Sequence, residues 1–112
     1  MKNTMVELEN KLLFEVQTPI NFSVRTTTSY WNLIENVKHP TMKGKEDLVI
    51  NILEKPDEIR QSEKDSSVYL FYKMEYVKRW TCAVAKRLNG DGFLITAYPT
   101  NSIKEGLRIW RK

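Results

Sequence analysis

The chain has little cysteine, glycine or proline, and each shortage excludes a class of protein. Its one cysteine, Cys82, can form neither an internal disulfide framework nor a thiolate metal cluster. Four glycines and four prolines among 112 residues are too few for a disordered or fibrous chain, whereas 41% hydrophobic residues suit a globular core. We therefore expect one domain over residues 1–112, located in a reducing cytoplasm.

Long apolar runs and the common metal or phosphate motifs are also missing. No window approaches the roughly 18 apolar residues of a membrane-spanning helix, and the N-terminal region lacks the apolar stretch of a signal peptide. There is no acidic cluster for magnesium, no His/Cys spacing for zinc and no Gly-rich phosphate loop. The sequence thus predicts no membrane contact, no metal and no cofactor.

Positive charge is in modest excess. The net charge is +4 and the sequence pI is about 9.2, which favours an anionic partner such as a nucleic acid or an acidic protein. Charge alone does not choose between them, so the positions of the cations relative to chemically useful groups matter more.

Two helices are predicted in the first half of the chain. Tyr30, Ile34 and Val37 recur at helical spacing after a run of N-cap residues, and Pro40 ends that helix. A second helix is predicted over Lys45–Glu54, with acidic residues in its first turn. A short hairpin before the helices is a further prediction, with strands over Glu7–Phe14 and Asn21–Thr26.

The pattern then changes to the two-residue period of strands. Four strands are predicted, over Ile59–Ser62, Val68–Lys73, Lys78–Lys86 and Phe93–Tyr98. The predicted fold class is therefore α+β, with two N-terminal helices, preceded or not by the hairpin, packed on a four-stranded antiparallel sheet.

Asn89-Gly90 predicts a two-residue hairpin turn and hence a register. That register pairs Val84 with Ile95 and Cys82 with Ala97 on one face, and Ala83 with Thr96 and Thr81 with Tyr98 on the other. The helices would then bury Trp80, Cys82, Val84, Phe93 and Ile95, leaving the second face as an open shelf for a ligand. Gly92 allows a longer loop, which would shift the register by one residue.

His39 is the only histidine, so it is the only side chain whose ordinary pKa suits proton transfer in both directions near neutral pH. It either ends its helix beside Pro40 or acts as an acid–base group. Arg60 and Ser62 share a strand face and could hold a phosphate, or could lie on a solvated edge. Thr96 and Tyr98 likewise share a face, where their hydroxyls either bond to the backbone or contribute to a site.

Four further residues are predicted to contact RNA. Tyr72 is a candidate base-stacking platform, although aromatic residues at this density more often fill a core. Lys73, Lys86 and Lys104 are candidate phosphate contacts, and such lysines also occur simply solvated.

Four segments together resemble a known family: Lys38-His39-Pro40, Leu53 to Ser62, Val68 to Tyr72 and Gly92 to Thr100. They resemble the BECR superfamily, the grouping of barnase, EndoU, colicin and RelE-like nucleases that includes small phage-associated and bacterial members. The similarity covers residues 30–104 approximately and leaves out the N-terminal hairpin.

The resemblance implies a metal-independent endoribonuclease, often a toxin or mobile-element effector. The catalytic roles would fall on His39, Arg60, Ser62, Thr96 and Tyr98. A single histidine departs from the two-histidine mechanism of the EndoU kind, so Tyr98, Lys86 or a substrate group would supply the second proton transfer. The expected partner is RNA, with a cognate antitoxin or inhibitor protein if the chain is a toxin. The alternative is a noncatalytic RNA-binding or protein-partner module that keeps the nuclease-like fold.

Overall fold

Strands dominate the fold, and those of the described region join one sheet. The computed structural model describes residues 11–112. The strands are β1 (Leu12–Gln17), β2 (Ser23–Thr27), β3 (Glu58–Gln61), β4 (Val68–Tyr76), β5 (Arg79–Leu88), β6 (Asp91–Thr100) and β7 (Leu107–Arg111), in the sheet order β1-β2-β6-β5-β4-β3-β7. Helix α1 (Thr28–Leu33) continues into a π-helical turn (Ile34–Lys38), a 3-10 turn follows (Pro40–Met42), and α2 spans Glu46–Glu54.

The predicted architecture of two N-terminal helices on a four-stranded antiparallel sheet is wrong. The helices lie mid-chain, between β2 and β3, and the sheet has seven strands. It is a mixed sheet, because β2 runs parallel to β6 while the other neighbouring strands are antiparallel. The N-terminal hairpin and β7 therefore extend the predicted meander at its two edges. The first strand of the hairpin lies later than predicted, and residues 7–10 of that prediction fall outside the described residues.

Local signals account for the helices. The hydroxyl of Thr27 caps α1 by accepting a 3.2 Å hydrogen bond from the Tyr30 N–H. The last turn before Pro40 widens, and the His39 N–H donates to the Ile34 carbonyl five residues earlier. Helix α2 begins with two acidic residues and buries Val49 with its neighbours on one face, as predicted from the spacing of its apolar residues.

The Asn89-Gly90 turn has the predicted geometry. Both residues have positive φ, 54° and 90°, and Leu88 pairs with Asp91 across the two-residue loop. Asparagine and glycine tolerate this left-handed conformation better than other residues, which explains why the hairpin closes here.

The register predicted from that turn holds only for the first half of the hairpin. A β-bulge at Ile95 adds one residue to β6, so Val84 pairs with Thr96 and Cys82 pairs with Tyr98. The bulge moves Thr96 and Tyr98 to the face that carries Cys82. The prediction that these hydroxyls lie opposite small residues on a separate open shelf is therefore wrong.

The helices pack on the opposite face of the sheet from the one predicted. The core beneath them contains the small strand residues Ala83, Ala85 and Ala97, together with Leu94, Phe71 and Ile59. Small side chains on the strands leave room for the bulky helical ones, such as Trp31 and Ile34, so they mark the packed face and not an empty shelf.

A second apolar cluster lies on the other face. It consists of Leu70, Tyr72, Cys82 and Val84, with Ile103 among the residues packed against it. Ile103 belongs to the connection 101–106, which must run from β6 past three strands to β7 at the sheet edge. Because both faces are covered, β5 is buried without interruption over Thr81–Ala85.

Candidate functional site

The only histidine contacts one of the predicted site residues of β6. His39 lies between the π-helical and 3-10 turns, with φ −146° and ψ 83°, and is partly exposed. Its ring packs against that of Tyr98, with the ring centroids 5.4 Å apart and the planes inclined at 36°. His39 and Tyr98 are distant in sequence. The fold thus places an imidazole beside a phenol, at the part of the β6 edge that does not pair with β2.

Thr96 lies two residues before Tyr98 on the same face of β6. Its Oγ1 is buried and makes no hydrogen bond within residues 11–112. Buried hydroxyls usually have a hydrogen-bond partner, so this unpaired oxygen is an exception in the described structure.

Tyr72 and Tyr98 are the cross-strand neighbours of Cys82 on β4 and β6. All three side chains belong to the same apolar cluster. Burial raises the pKa of Cys82 to about 12 and raises the pKa of both tyrosines above their ordinary value, and the nearby Glu105 carboxylate adds to these shifts. All three groups are therefore neutral near pH 7 and do not act as anionic nucleophiles.

Arg60 lies on the same face of the sheet as Thr96 and Tyr98, but it does not lie near His39. Its Nε lies 2.5 Å from Glu58 Oε2, and its Nη1 donates a 3.1 Å hydrogen bond to the Gly106 carbonyl. Three strand spacings separate β3 from β6, which is about 14 Å. The predicted set thus divides into a His39 group and an Arg60 group on one face of the sheet.

Ser62 and Lys104 line a small cleft beside the turn that follows β3. It has a volume of about 270 Å³ and is also lined by Glu63, Lys64, Glu105 and Gly106. The Ser62 hydroxyl accepts hydrogen bonds from the N–H groups of Lys64 and Asp65, at 3.2 and 3.4 Å, and so closes the turn after β3. Acidic and basic side chains alternate around this cleft, so it has no clear preference for an anion.

The other three predicted RNA-binding residues are engaged within the fold. Tyr72 is 2% exposed, so its ring face is not open as a stacking platform requires. Lys73 donates to the Lys55 carbonyl at the end of α2, at 2.7 Å. Lys86 pairs with Asp65 at 3.4 Å, an exposed contact that solvent weakens.

Sequence reasoning missed a group of residues where β2 and β6 separate. The hydroxyl of Tyr30 and the Nζ of Lys38 both donate to the carbonyl of Ile95, at 2.8 and 3.1 Å. Arg25 lies over the ring of Phe93, 4.7 Å from its centroid. In the sequence, only the position of Lys38 next to His39 could have indicated this group. The bulge that frees the Ile95 carbonyl cannot be predicted from residue types.

Two kinds of feature are absent from the described region. Over residues 11–112 there is no group of three or more His, Cys, Asp or Glu side chains arranged to hold a metal ion. In the same part of the chain no helix has the length and apolar character needed to cross a membrane.

Comparisons with protein-family models, with curated proteins and with solved structures found no match to this chain.

Proposed function

We propose that this protein is a metal-independent endoribonuclease that uses His39 as its acid–base group. The observation that supports the proposal best is the contact of His39 with Tyr98, two residues from the unpartnered hydroxyl of Thr96. An imidazole, a neutral phenol and a free hydroxyl suit acid–base cleavage of a phosphodiester.

The proposed reaction uses the 2′-hydroxyl of the RNA as the nucleophile. His39 accepts the proton of that hydroxyl while its oxygen bonds to phosphorus. The bond from phosphorus to the 5′ oxygen then breaks, and this oxygen takes a proton, giving a 2′,3′-cyclic phosphate and a 5′-hydroxyl. Tyr98 is the proposed proton donor, because its phenol is protonated near pH 7 and its ring packs against that of His39. Thr96 would orient the phosphate, and Lys38, beside His39, would offset its charge.

A second candidate is a noncatalytic RNA-binding or protein-partner module. It is favoured by the position of Arg60, whose guanidinium is held by Glu58 and Gly106 far from His39. In that case the protein, with its net charge of +4, would bind RNA without cleaving it.

The setting we propose is the cytoplasm, supported by the single Cys82, which is buried and free. RNA would be the partner, together with a cognate antitoxin or inhibitor protein if the chain acts as a toxin.

The test is cleavage of a fluorescent RNA in the presence of EDTA. We expect the wild-type protein to cleave it and His39→Ala to lose at least about a hundredfold in rate, the usual contribution of a general acid–base group. Val37→Ala is the matched control, because Val37 lies two residues away and is 69% exposed. Circular dichroism would establish that the variants fold. Full activity in His39→Ala would contradict the proposal, and binding of RNA without cleavage would favour the second candidate.

A further inference from the structure

A cavity opens where β2 and β6 stop pairing. The two strands are joined only through Val24–Gly92 and Arg25–Phe93. Beyond these pairs they diverge around a cavity of about 410 Å³, lined by Arg25, Thr26, Thr27, Tyr30, Phe93, Leu94 and Ile95. We call it the fork cavity. Its volume is within the range of small-molecule sites, which are mostly apolar with a few polar groups.

The wall of the fork cavity suits a flat aromatic ligand. Two aromatic rings, those of Tyr30 and Phe93, contribute to it, and most of the wall is apolar. The guanidinium of Arg25 lies over the Phe93 ring at 4.7 Å. Aromatic rings and arginine planes are the surfaces on which unpaired nucleobases stack.

Polar groups at the cavity could orient such a ligand. Thr26 is 5% exposed and lines the cavity, and its Oγ1 makes no hydrogen bond within residues 11–112. Lys38 reaches the same region, with its Nζ 3.0 Å from the Tyr30 hydroxyl and 5.2 Å from the centroid of that ring. Because a cation attracts negative charge, Lys38 beside the apolar fork cavity favours a ligand that joins a flat ring to a negative charge.

The fork cavity also lies at a useful distance from His39. Ile95 lines the cavity, and Tyr98, which His39 contacts, is three residues further along β6, about 10 Å away. Lys38 and His39 are neighbours in the chain, so one turn contacts both the region of the fork cavity and Tyr98. This separation is comparable to that between a base and a phosphate of the same short RNA segment.

We propose that the fork cavity binds one unpaired nucleobase of single-stranded RNA and so positions the neighbouring phosphate at His39. This inference rests on the proposed function, because it supplies the substrate class of that site. A paired base would be unavailable, since its ring faces are stacked within the duplex.

The test compares an RNA analogue with the same backbone lacking its bases. The probe is a trinucleotide of 2′-O-methyladenylate, whose blocked 2′ position prevents cleavage, titrated into the full-length protein and followed by NMR. We expect the wild type to bind it at least about fivefold more tightly than the base-free backbone, as base stacking on protein rings predicts. Amide signals of Thr26, Thr27 and Phe93 to Ile95 should shift with the adenylate probe only.

The chain offers a matched control for charge. Arg25 lies over Phe93, and Arg87 lies over Phe22 at 4.9 Å, away from the fork cavity. Both Arg25→Ala and Arg87→Ala remove one positive charge and one cation–ring contact. We expect Arg25→Ala to weaken binding of the adenylate probe several-fold more than Arg87→Ala does. Phe93→Leu, which keeps apolar bulk, should abolish the preference for the probe that carries bases.

The outcomes separate this inference from the proposed function. Equal binding of the two probes, or equal effects of Arg25→Ala and Arg87→Ala, would overturn the fork cavity as a base site even if RNA is cleaved. Base-dependent binding in a protein that cleaves no RNA would support the cavity and contradict the nuclease. The NMR spectrum of each variant shows directly whether it is folded.

Discussion

The hydroxyl of Tyr30 donates a 2.8 Å hydrogen bond to the carbonyl of Ile95, the residue that the β-bulge adds to β6. Lys38 donates to the same carbonyl at 3.1 Å. A bulge leaves a backbone group outside the ladder, and an unpaired carbonyl costs free energy if it is buried. The helical segment thus compensates for the irregularity that moves Thr96 and Tyr98 to their observed face.

Removal of that hydroxyl should reduce stability modestly. We expect Tyr30→Phe to lower the free energy of unfolding by about 0.5–1.5 kcal/mol, because Lys38 can still donate to the Ile95 carbonyl. Urea denaturation measures the change. Tyr76→Phe is the control, since Tyr76 is 71% exposed and should change stability little. Equal effects of the two substitutions would mean that the bond to Ile95 contributes nothing.

Features that depend on local sequence could be predicted. The α2 helix follows from the spacing of its apolar residues and from its acidic first turn, and the Asn89-Gly90 turn follows from the need for positive φ. The strands β3 to β6 lie within a few residues of their predicted positions. Each of these signals is contained in a short window of the chain.

Features that depend on contacts between distant residues could not be predicted from the sequence. The bulge at Ile95 is stabilised by Tyr30, 65 residues earlier, and it inverts the predicted face of Thr96. The β7 strand pairs with β3 across a long connection, and its alternation is too short to stand out. For the site, residue type and strand position indicate His39 and Tyr98 separately, but their contact and the fork cavity arise only from the tertiary fold.

Gly92 should tolerate no side chain. A Cβ at this position would lie 2.7 Å from the Ser23 carbonyl and 2.8 Å from the Phe22 ring, both closer than real contacts allow. We expect Gly92→Ala to lower the free energy of unfolding by about 1–3 kcal/mol, a typical cost of overpacking. Amide hydrogen exchange should increase most in β1 and β2, which join the sheet beside Gly92. Asp91→Ala is the exposed neighbouring control, and a similar loss there would contradict the steric explanation.

Stability should fall in alkaline solution because of Cys82. Burial raises the pKa of its thiol to about 12, whereas the same thiol in the unfolded chain ionises near pH 9. Above about pH 9 the unfolded state has lost a proton that the native state keeps, so the free energy of unfolding falls as pH rises, by about 1.4 kcal/mol per pH unit for one group. Below that pH the contribution is fully present.

The difference between wild type and Cys82→Ala isolates this effect from other titrating groups. We expect the two urea midpoints to run parallel from pH 6 to 8 and to converge, with the wild type falling faster, as pH rises from about 9 to 10.5. A constant difference across the whole range would show that the thiol does not titrate differently in the two states. The native thiol should also resist alkylation at pH 8, since its anion is the nucleophile.

Substitution of Arg60 tests whether this residue stabilises the fold or binds a phosphate. Its guanidinium pairs with Glu58 and donates to the Gly106 carbonyl, and the side chains of the ion pair are 22% and 16% exposed. Arg60→Ala would leave both partners unsatisfied, so we expect the free energy of unfolding to fall by about 1.5–3 kcal/mol. Arg108→Ala is the control, because Arg108 is exposed on β7 directly across the ladder from Arg60. If Arg60 serves the fold in this way, RNA cleavage per folded molecule should change little, measured with the folded fraction taken from urea curves at the assay temperature. A large loss of cleavage with unchanged stability would instead mean that Arg60 leaves Glu58 to bind the phosphate, and would bring the two separated groups of the candidate site into one.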